Sequence, residues 1–192
     1  MFQVGNDHRG TFIDEFLGYA QADPGGTAGD DGDFSIHLER IAKEAGVGSG
    51  TLYRNFPTRE VLIEAAYRNE LSRLCDAAPQ LLESMPPERA LREWMGRFID
   101  YATAKLGMAD ALRALVESGA DPYARSKEMM LDALTALLET AVRTGAIRPD
   151  ISATDMFAAL TGIALASGKP EQREQAERLL DLTMDGLRRP PR

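Results

Sequence analysis

The chain has 192 residues, 44 % apolar and 27 % charged, and its 22 basic and 30 acidic residues give a formal net charge of −8. That length supports one or two small domains with a core of their own, while one cysteine and two histidines exclude a disulfide framework and supply a metal site poorly. With no run of about 18 apolar residues and no basic-then-apolar leader, a cytoplasmic protein with no membrane partner is expected.

Almost every segment with a clear period reads as helix, so the expected fold class is all-α. Residues 11–21 have the spacing for three turns, with Phe12, Phe16, Leu17 and Ala20 on one side. An acidic stretch rich in Gly and Pro follows, from Asp23-Pro-Gly-Gly to Asp33. A short helix is predicted over 38–45, closed by Gly46, and a second over 49–56. Pro57-Thr58 opens a longer helix to about Leu82, with Thr58 as N-cap and Glu60 in the first turn. Further helices are predicted at 87–106, at 109–118 before Gly119, and at 123–144 before Gly145. Ser152-Ala-Thr-Asp155 has capping-box spacing, with Asp for the usual Glu, and opens an apolar helix to about 167. The last helix covers about 171–189.

Charge is spread unevenly. Residues 1–33 hold Arg9 against seven acids, residues 34–73 are +1, and residues 74–192 are −3. The overall acidity therefore does not exclude nucleic acid, because a phosphate contact is local and is screened beyond about 10 Å. Two short helices around a Gly-containing turn, followed by a scaffold helix, outline a helix-turn-helix. The second helix starts on Gly48, Ser49, Gly50 and Thr51, a small and polar first turn whose N–H groups can approach a groove or phosphate. Leu52 and Phe56 form the core-facing pair, which points Thr51, Tyr53 and Arg54 elsewhere; their groups suit phosphates or base edges. Arg59 offers a second cation one turn on, and no acid occurs between Gly46 and Arg59.

Residues 36–67 resemble the DNA-binding half of TetR-family transcriptional regulators. The specific parts are Ile41-Ala42 with Ala45-Gly46-Val47, Gly50-Thr51-Leu52-Tyr53 and Phe56-Pro57. The tail from Ala153 to Arg189, with Leu179-Leu180 and Asp185-Gly186-Leu187, is similar to the closing helices of that family. The resemblance covers roughly residues 34–189 and is loose in the middle. It implies a repressor-type homodimer on a double-stranded DNA operator. Its C-terminal helices would bind a small effector, and its last two would pair with those of the partner. By residue match, the DNA contacts fall on Gly48, Ser49, Thr51, Tyr53, Arg54 and Arg59. The position opening the first short helix, usually Ser or Thr, is His37, which joins that set; Ser49 stands where Lys is frequent.

The N-terminus departs from the pattern. The family places an amphipathic helix directly before the helix-turn-helix, and counting back puts it at roughly 18–29. Here that stretch includes Ala22-Asp-Pro-Gly-Gly-Thr-Ala28, which is not helix-forming. Two readings are open: residues 11–21 supply a displaced first helix, or residues 1–33 come from a shifted reading frame or misplaced start. The expected organisation is an atypical acidic segment at 1–33, a DNA-binding domain with linking helix at 34–75, and an effector-binding and dimerisation domain at 76–192.

Trp94, Phe98, Tyr101, Met108, Met129 and Met130 are the effector-pocket candidates, since Met and aromatic side chains adapt to apolar ligands. Their spacing describes ordinary core equally well. The apolar helix 152–167 fits a central core helix or a two-fold interface, and its amphipathic C-terminal neighbour favours the interface. Its candidates are Met156, Phe157, Leu160, Ile163, Leu179, Leu180, Met184 and Leu187. The function expected is a ligand-responsive DNA-binding regulator; the alternative is a dimeric helical ligand-binding protein that has lost DNA binding through its N-terminus. No phosphate loop, HExxH or nucleophile elbow is present, so neither enzymatic activity nor a cofactor or metal is expected. Cys75, with no histidine nearby in sequence, reads as a small buried hydrophobe.

Overall fold

A computed structural model describes residues 48, 50, 54–167 and 169–188, with the side chains of Arg59 and Pro170 outside that description. The helices expected at 11–21 and 38–45 lie outside the described residues. Within them the order is α1 (Arg59–Ser84), α2 (Pro87–Gly107), α3 (Ala109–Glu117), α4 (Ser126–Arg143), α5 (Ala153–Ser167), a 3-10 turn (Pro170–Gln172) and α6 (Arg173–Leu187). The described residues form no strand, only an isolated antiparallel bridge between Ile147 and Arg188.

Local chemistry sets most helix ends. Thr58 caps α1: its Oγ1 accepts from the Val61 N–H at 3.4 Å and its carbonyl from Leu62 at 3.2 Å. Pro86-Pro87 separates α1 from α2, with Pro87 tolerated in a first turn whose N–H groups have no helical partner. α3 and α4 each close with a left-handed glycine, Gly119 at φ +90° and Gly145 at φ +75°. At α4 the Gly145 N–H bonds the Val142 carbonyl and the Ala146 N–H the Ala141 carbonyl, at 2.9 and 3.0 Å. This paired closure satisfies carbonyls the helix leaves free. α4 starts later than the spacing predicts. Arg125 sits at φ +61°, a conformation outside the helical region, so the first turn begins at Ser126.

The capping box of α5 forms with its short acid. The Ser152 N–H donates to Asp155 Oδ2 at 3.1 Å, and the Asp155 N–H donates back to Ser152 Oγ at 3.1 Å. The Ser152 hydroxyl also donates to Asp155 Oδ2, at 2.6 Å. These bonds, the hydroxyl's first, hold the Asp155 carboxyl below its ordinary pKa. A depressed carboxylate pKa contributes stability above the unfolded value and loses it as pH falls through the folded one. Ser152→Ala should therefore lower Tm by about 2–4 °C at neutral pH. The gap to the parent should narrow below the usual carboxylate range; thermal melts from pH 7 downward check this, and a gap that widens in acid would refute it.

The chain divides into two compact units, and the division falls inside α1, between Glu70 and Leu71. The first holds the described residues up to Glu70 together with Gly107–Pro122. Its buried side chains include Phe56, Leu62, Ile63, Ala66, Tyr67, Leu112 and Leu115. The second holds Leu71–Leu106 and the described residues from Tyr123 on. There the buried stripes are Leu74, Ala78 and Leu81 of α1, Leu91, Trp94, Met95, Phe98 and Ile99 of α2, and Leu134, Leu137 and Leu138 of α4. α5 packs against α4 and α6. Each fully buried Leu, Ile or Met in such a stripe stabilises the fold by about 1.5–3 kcal/mol relative to exposure.

Ion pairs run along the α2–α6 seam beside this core. Arg92 donates to Asp181 at 2.8 Å and to Glu177; Arg173 reaches Asp100 at 3.3 Å and Glu177 at 2.9 Å; Arg188 reaches Glu88 at 2.8 Å. Desolvation raises the Asp100 pKa, with the Arg173 charge opposing it. These pairs are largely solvated and fix register more than they stabilise.

Candidate nucleic-acid interface and ligand-binding region

His37, Ser49, Thr51 and Tyr53 lie outside the described residues, and Arg59 is described by its backbone alone, as the first residue of α1. Gly48 is exposed, and Gly50, Arg54 and Asn55 have helical backbone. A side chain built on Gly50 would meet nothing within 4 Å, so that turn is open on its outer side. Arg54 is exposed and its Nε donates to the Gly50 carbonyl at 3.1 Å, one turn back. That bond lays the guanidinium along the helix towards its N-terminal end, leaving the two terminal nitrogens for a phosphate or a guanine edge. Phe56 is buried, which anchors the segment one residue before Pro57.

The effector-pocket candidates are mostly core. Trp94, Phe98, Tyr101, Met108 and Met130 are buried, whereas Met129 is exposed. Met108 belongs to the first unit and the other five to the second. Three of them form an aromatic run on α2: Trp94 and Phe98 have ring centroids 6.0 Å apart, Phe98 and Tyr101 6.2 Å. Phe157 of α5 meets Phe98 edge-on, at 5.8 Å and 80°. These are favourable aromatic separations. The Trp94 indole Nε1 donates to the Leu74 carbonyl of α1 at 2.8 Å, so the one polar atom of this buried ring is satisfied. Lys105, at the C-terminal end of α2, lies 4.4 Å from the centre of the Tyr123 ring, and burial lowers its pKa. Sequence spacing did not single out Lys105, because its contact with Tyr123 depends on the loop before α4.

A cavity of about 710 Å³ opens between α2 and α6. Its lining is charged, including Arg89, Arg92, Glu177, Asp181 and Arg188, and none of the aromatic candidates borders it. Among the described residues no group of His, Cys, Asp and Glu is arranged to hold a metal ion. No helix there is long and apolar enough to cross a membrane. The Cys75 thiol is half-buried, and its pKa is pushed up to about 11 by desolvation, with Asp76 and Asp132 adding to the shift. Such a thiol is a poor nucleophile at neutral pH.

The interface candidates divide by burial. Met156, Leu160, Leu180, Met184 and Leu187 are buried within the protomer, while Phe157, Ile163 and Leu179 are partly exposed. The physical reason is packing: α5 packs against both α4 and α6, and these residues are covered within one protomer. The exposed face of α5 is instead Ala158, Ala159, Gly162, Leu165 and Ala166, and α6 exposes Leu182 and Gly186. Leu165 at 79 % and Leu182 at 67 % exposure are the most exposed large hydrophobics among the described residues. A helical wheel carries the signal. Leu165 follows the buried Ala164 by one position and Leu182 follows the buried Leu180 by two, which rotates each off the core stripe.

Residues 35–66 match the model for bacterial regulatory proteins of the tetR family, and residues 86–189 match that for the C-terminal domain of SbtR-like transcriptional regulators. A TetR transcriptional regulator from Streptomyces coelicolor is 59 % identical, covering 95 % of this chain and 99 % of its own, with TM-score 0.85. A TetR transcription regulatory protein from Mycobacterium vanbaalenii is 28 % identical over 95 % and 98 % of the two chains, with TM-score 0.70. A ketosteroid transcriptional regulator of Mycobacterium tuberculosis, 16 % identical over 97 % of each chain with TM-score 0.60, shares the fold. No curated protein matches the chain.

Proposed function

The chain belongs to the TetR family of transcriptional regulators, and from that premise we propose that it is a cytoplasmic, ligand-responsive repressor, released from its operator by a small effector. The observation that carries this reading is the opening of the second short helix. Gly48 and Gly50 are exposed, a side chain on Gly50 would meet nothing within 4 Å, the Arg54 Nε reaches back to the Gly50 carbonyl, and the capped scaffold helix α1 follows within a few residues. A free helix N-terminus with adjacent cations and no acid is suited to the phosphate backbone. Tyr53, Thr51, Ser49, Arg59 and His37 complete the proposed contact set, and no catalytic step is assigned to any of them.

The working unit in this reading is a homodimer joined through the exposed faces of α5 and α6. Leu165 and Leu182 lie at its centre, and the small residues Ala158, Gly162 and Gly186 allow close approach. Two recognition helices would enter successive major grooves about 34–36 Å apart. An effector bound in the second unit would favour a protomer conformation with a different spacing, a coupling of typically about 1–3 kcal/mol. The half-buried Lys105 supplies a cation for such a molecule, and the aromatic run on α2, buried in this conformation, would line its site only once the core around it opens.

Binding of the purified chain to its own upstream DNA, titrated across salt, tests this directly. Specific binding should weaken steeply with salt, in a linear log–log relation. Arg59→Ala should weaken binding to all sequences and reduce that slope by about 1. Tyr53→Ala should weaken operator binding by about 1–3 kcal/mol. Unchanged affinity in both variants would remove these residues from the contact set. A folded dimer that binds no DNA would favour the second reading, a ligand-binding protein disabled by the Asp23-Pro-Gly-Gly stretch where the family has a helix.

A further inference from the structure

α1 is one helix shared by two units, and two features meet just past the division. Pro79 lies inside it and has no N–H, so the Cys75 carbonyl has no donor one turn on. The adjacent carbonyl, that of Leu74, receives the Trp94 indole N–H at 2.8 Å from α2, in a fully buried contact. At this turn α1 lacks one of its own bonds and has a bond from a neighbouring helix. Helices yield most readily where the ladder is interrupted in this way.

Trp94 is in turn held from the far side. Phe98, one turn along α2, lies against it with ring centroids 6.0 Å apart and tilted by 35°, and Phe98 is met edge-on by Phe157 at 5.8 Å. Phe157 stands in the second turn of α5, the helix that also carries the exposed Leu165. A displacement of α5 along its axis moves Phe157 against the Phe98 ring. A tightly packed core transmits such a step because it has no slack to absorb it. We propose that Trp94 is a positioning residue that couples α5 to the proline-interrupted turn of α1, through Phe98 on one side and the Leu74 carbonyl on the other. The proposal rests on the regulator reading for its effect on DNA affinity, but the mechanical link does not depend on it.

The test compares the full chain with Trp94→Phe, which removes the indole donor, with Phe157→Leu, which removes the edge-on ring, and with the double variant. Amide hydrogen exchange over residues 71–79 reads the link, and affinity for the upstream DNA reads its consequence. Both single variants should exchange faster over 71–79 and shift DNA affinity about 5-fold or more. The double variant should shift it no further than the stronger single, because the residues act in series. Exchange over 71–79 unaltered by Phe157→Leu in a folded protein overturns the proposal, as do DNA effects that multiply. If the parent chain binds no DNA, the regulator reading falls and the exchange measurement alone decides the link. Should Trp94→Phe not fold, Phe157→Leu carries the test, because Trp94 is the single tryptophan of the chain. Its emission should shift in that variant, and an unchanged spectrum overturns the coupling.

Discussion

Leu165→Glu combined with Leu182→Glu is expected to convert the proposed dimer into a folded monomer. Both side chains are exposed in the protomer, at 79 % and 67 %, so the substitutions remove almost no internal packing. Surface changes of this kind usually alter stability by less than about 0.5 kcal/mol each. Across a two-fold interface each substitution occurs twice and sets carboxylates against their own copies. Facing like charges cost several kcal/mol, which raises the dimer dissociation constant by roughly 100-fold or more. Sedimentation velocity across a protein dilution series measures this directly. A double variant that stays dimeric at micromolar concentration would move the interface elsewhere on the molecule. DNA affinity should fall with the dimer, since a single recognition helix retains only half of the contacts.

Leu160→Ala is expected to act the opposite way. Leu160 lies five residues before Leu165 on the same helix yet is fully buried in its own protomer. Truncating it removes apolar contacts and leaves a cavity, with a cost of about 2–5 kcal/mol in comparable sites. For a chain of this length that corresponds to a Tm lower by roughly 5–15 °C. Because dimerisation itself contributes to apparent stability, the clean measurement is chemical denaturation in the Leu165→Glu, Leu182→Glu background. There the full loss should persist. A Leu160→Ala variant that dissociates the parent dimer without destabilising the monomer would instead return Leu160 to the interface.

These two predictions turn on a distinction that periodicity cannot make. The alternation along α5 and α6 identifies an apolar stripe, and Met156, Leu160, Leu180, Met184 and Leu187 lie on it. A stripe specifies that something covers it, and the same spacing serves a neighbouring helix of the chain or a second copy. Packing against α4 and between α5 and α6 decides that the stripe is internal and that the lesser apolar face, around Leu165 and Leu182, is the uncovered one. The aromatic set follows the same logic. Trp94, Phe98 and Tyr101 have helical spacing suited to a core or a pocket, and their burial and mutual contacts make them core first. The bond from Trp94 to the Leu74 carbonyl has no trace in the sequence, since it joins two helices across twenty residues.

By itself the sequence determined whatever rests on short-range chemistry. Thr58 capping α1, the Ser152–Asp155 box, the left-handed closures at Gly119 and Gly145 and the break at Pro86-Pro87 each depend on a few adjacent residues and their backbone freedom. The helix-turn-helix motif belongs with them, because a short run of residue types carries it and residues 35–66 match the family model. Only the tertiary structure decided which apolar face stays uncovered, which rings touch, and where α4 begins, one turn late behind the left-handed Arg125. Those outcomes depend on which surfaces from distant parts of the chain compete for the same contact. Burial area summed over the whole unit, not local preference, settles that competition.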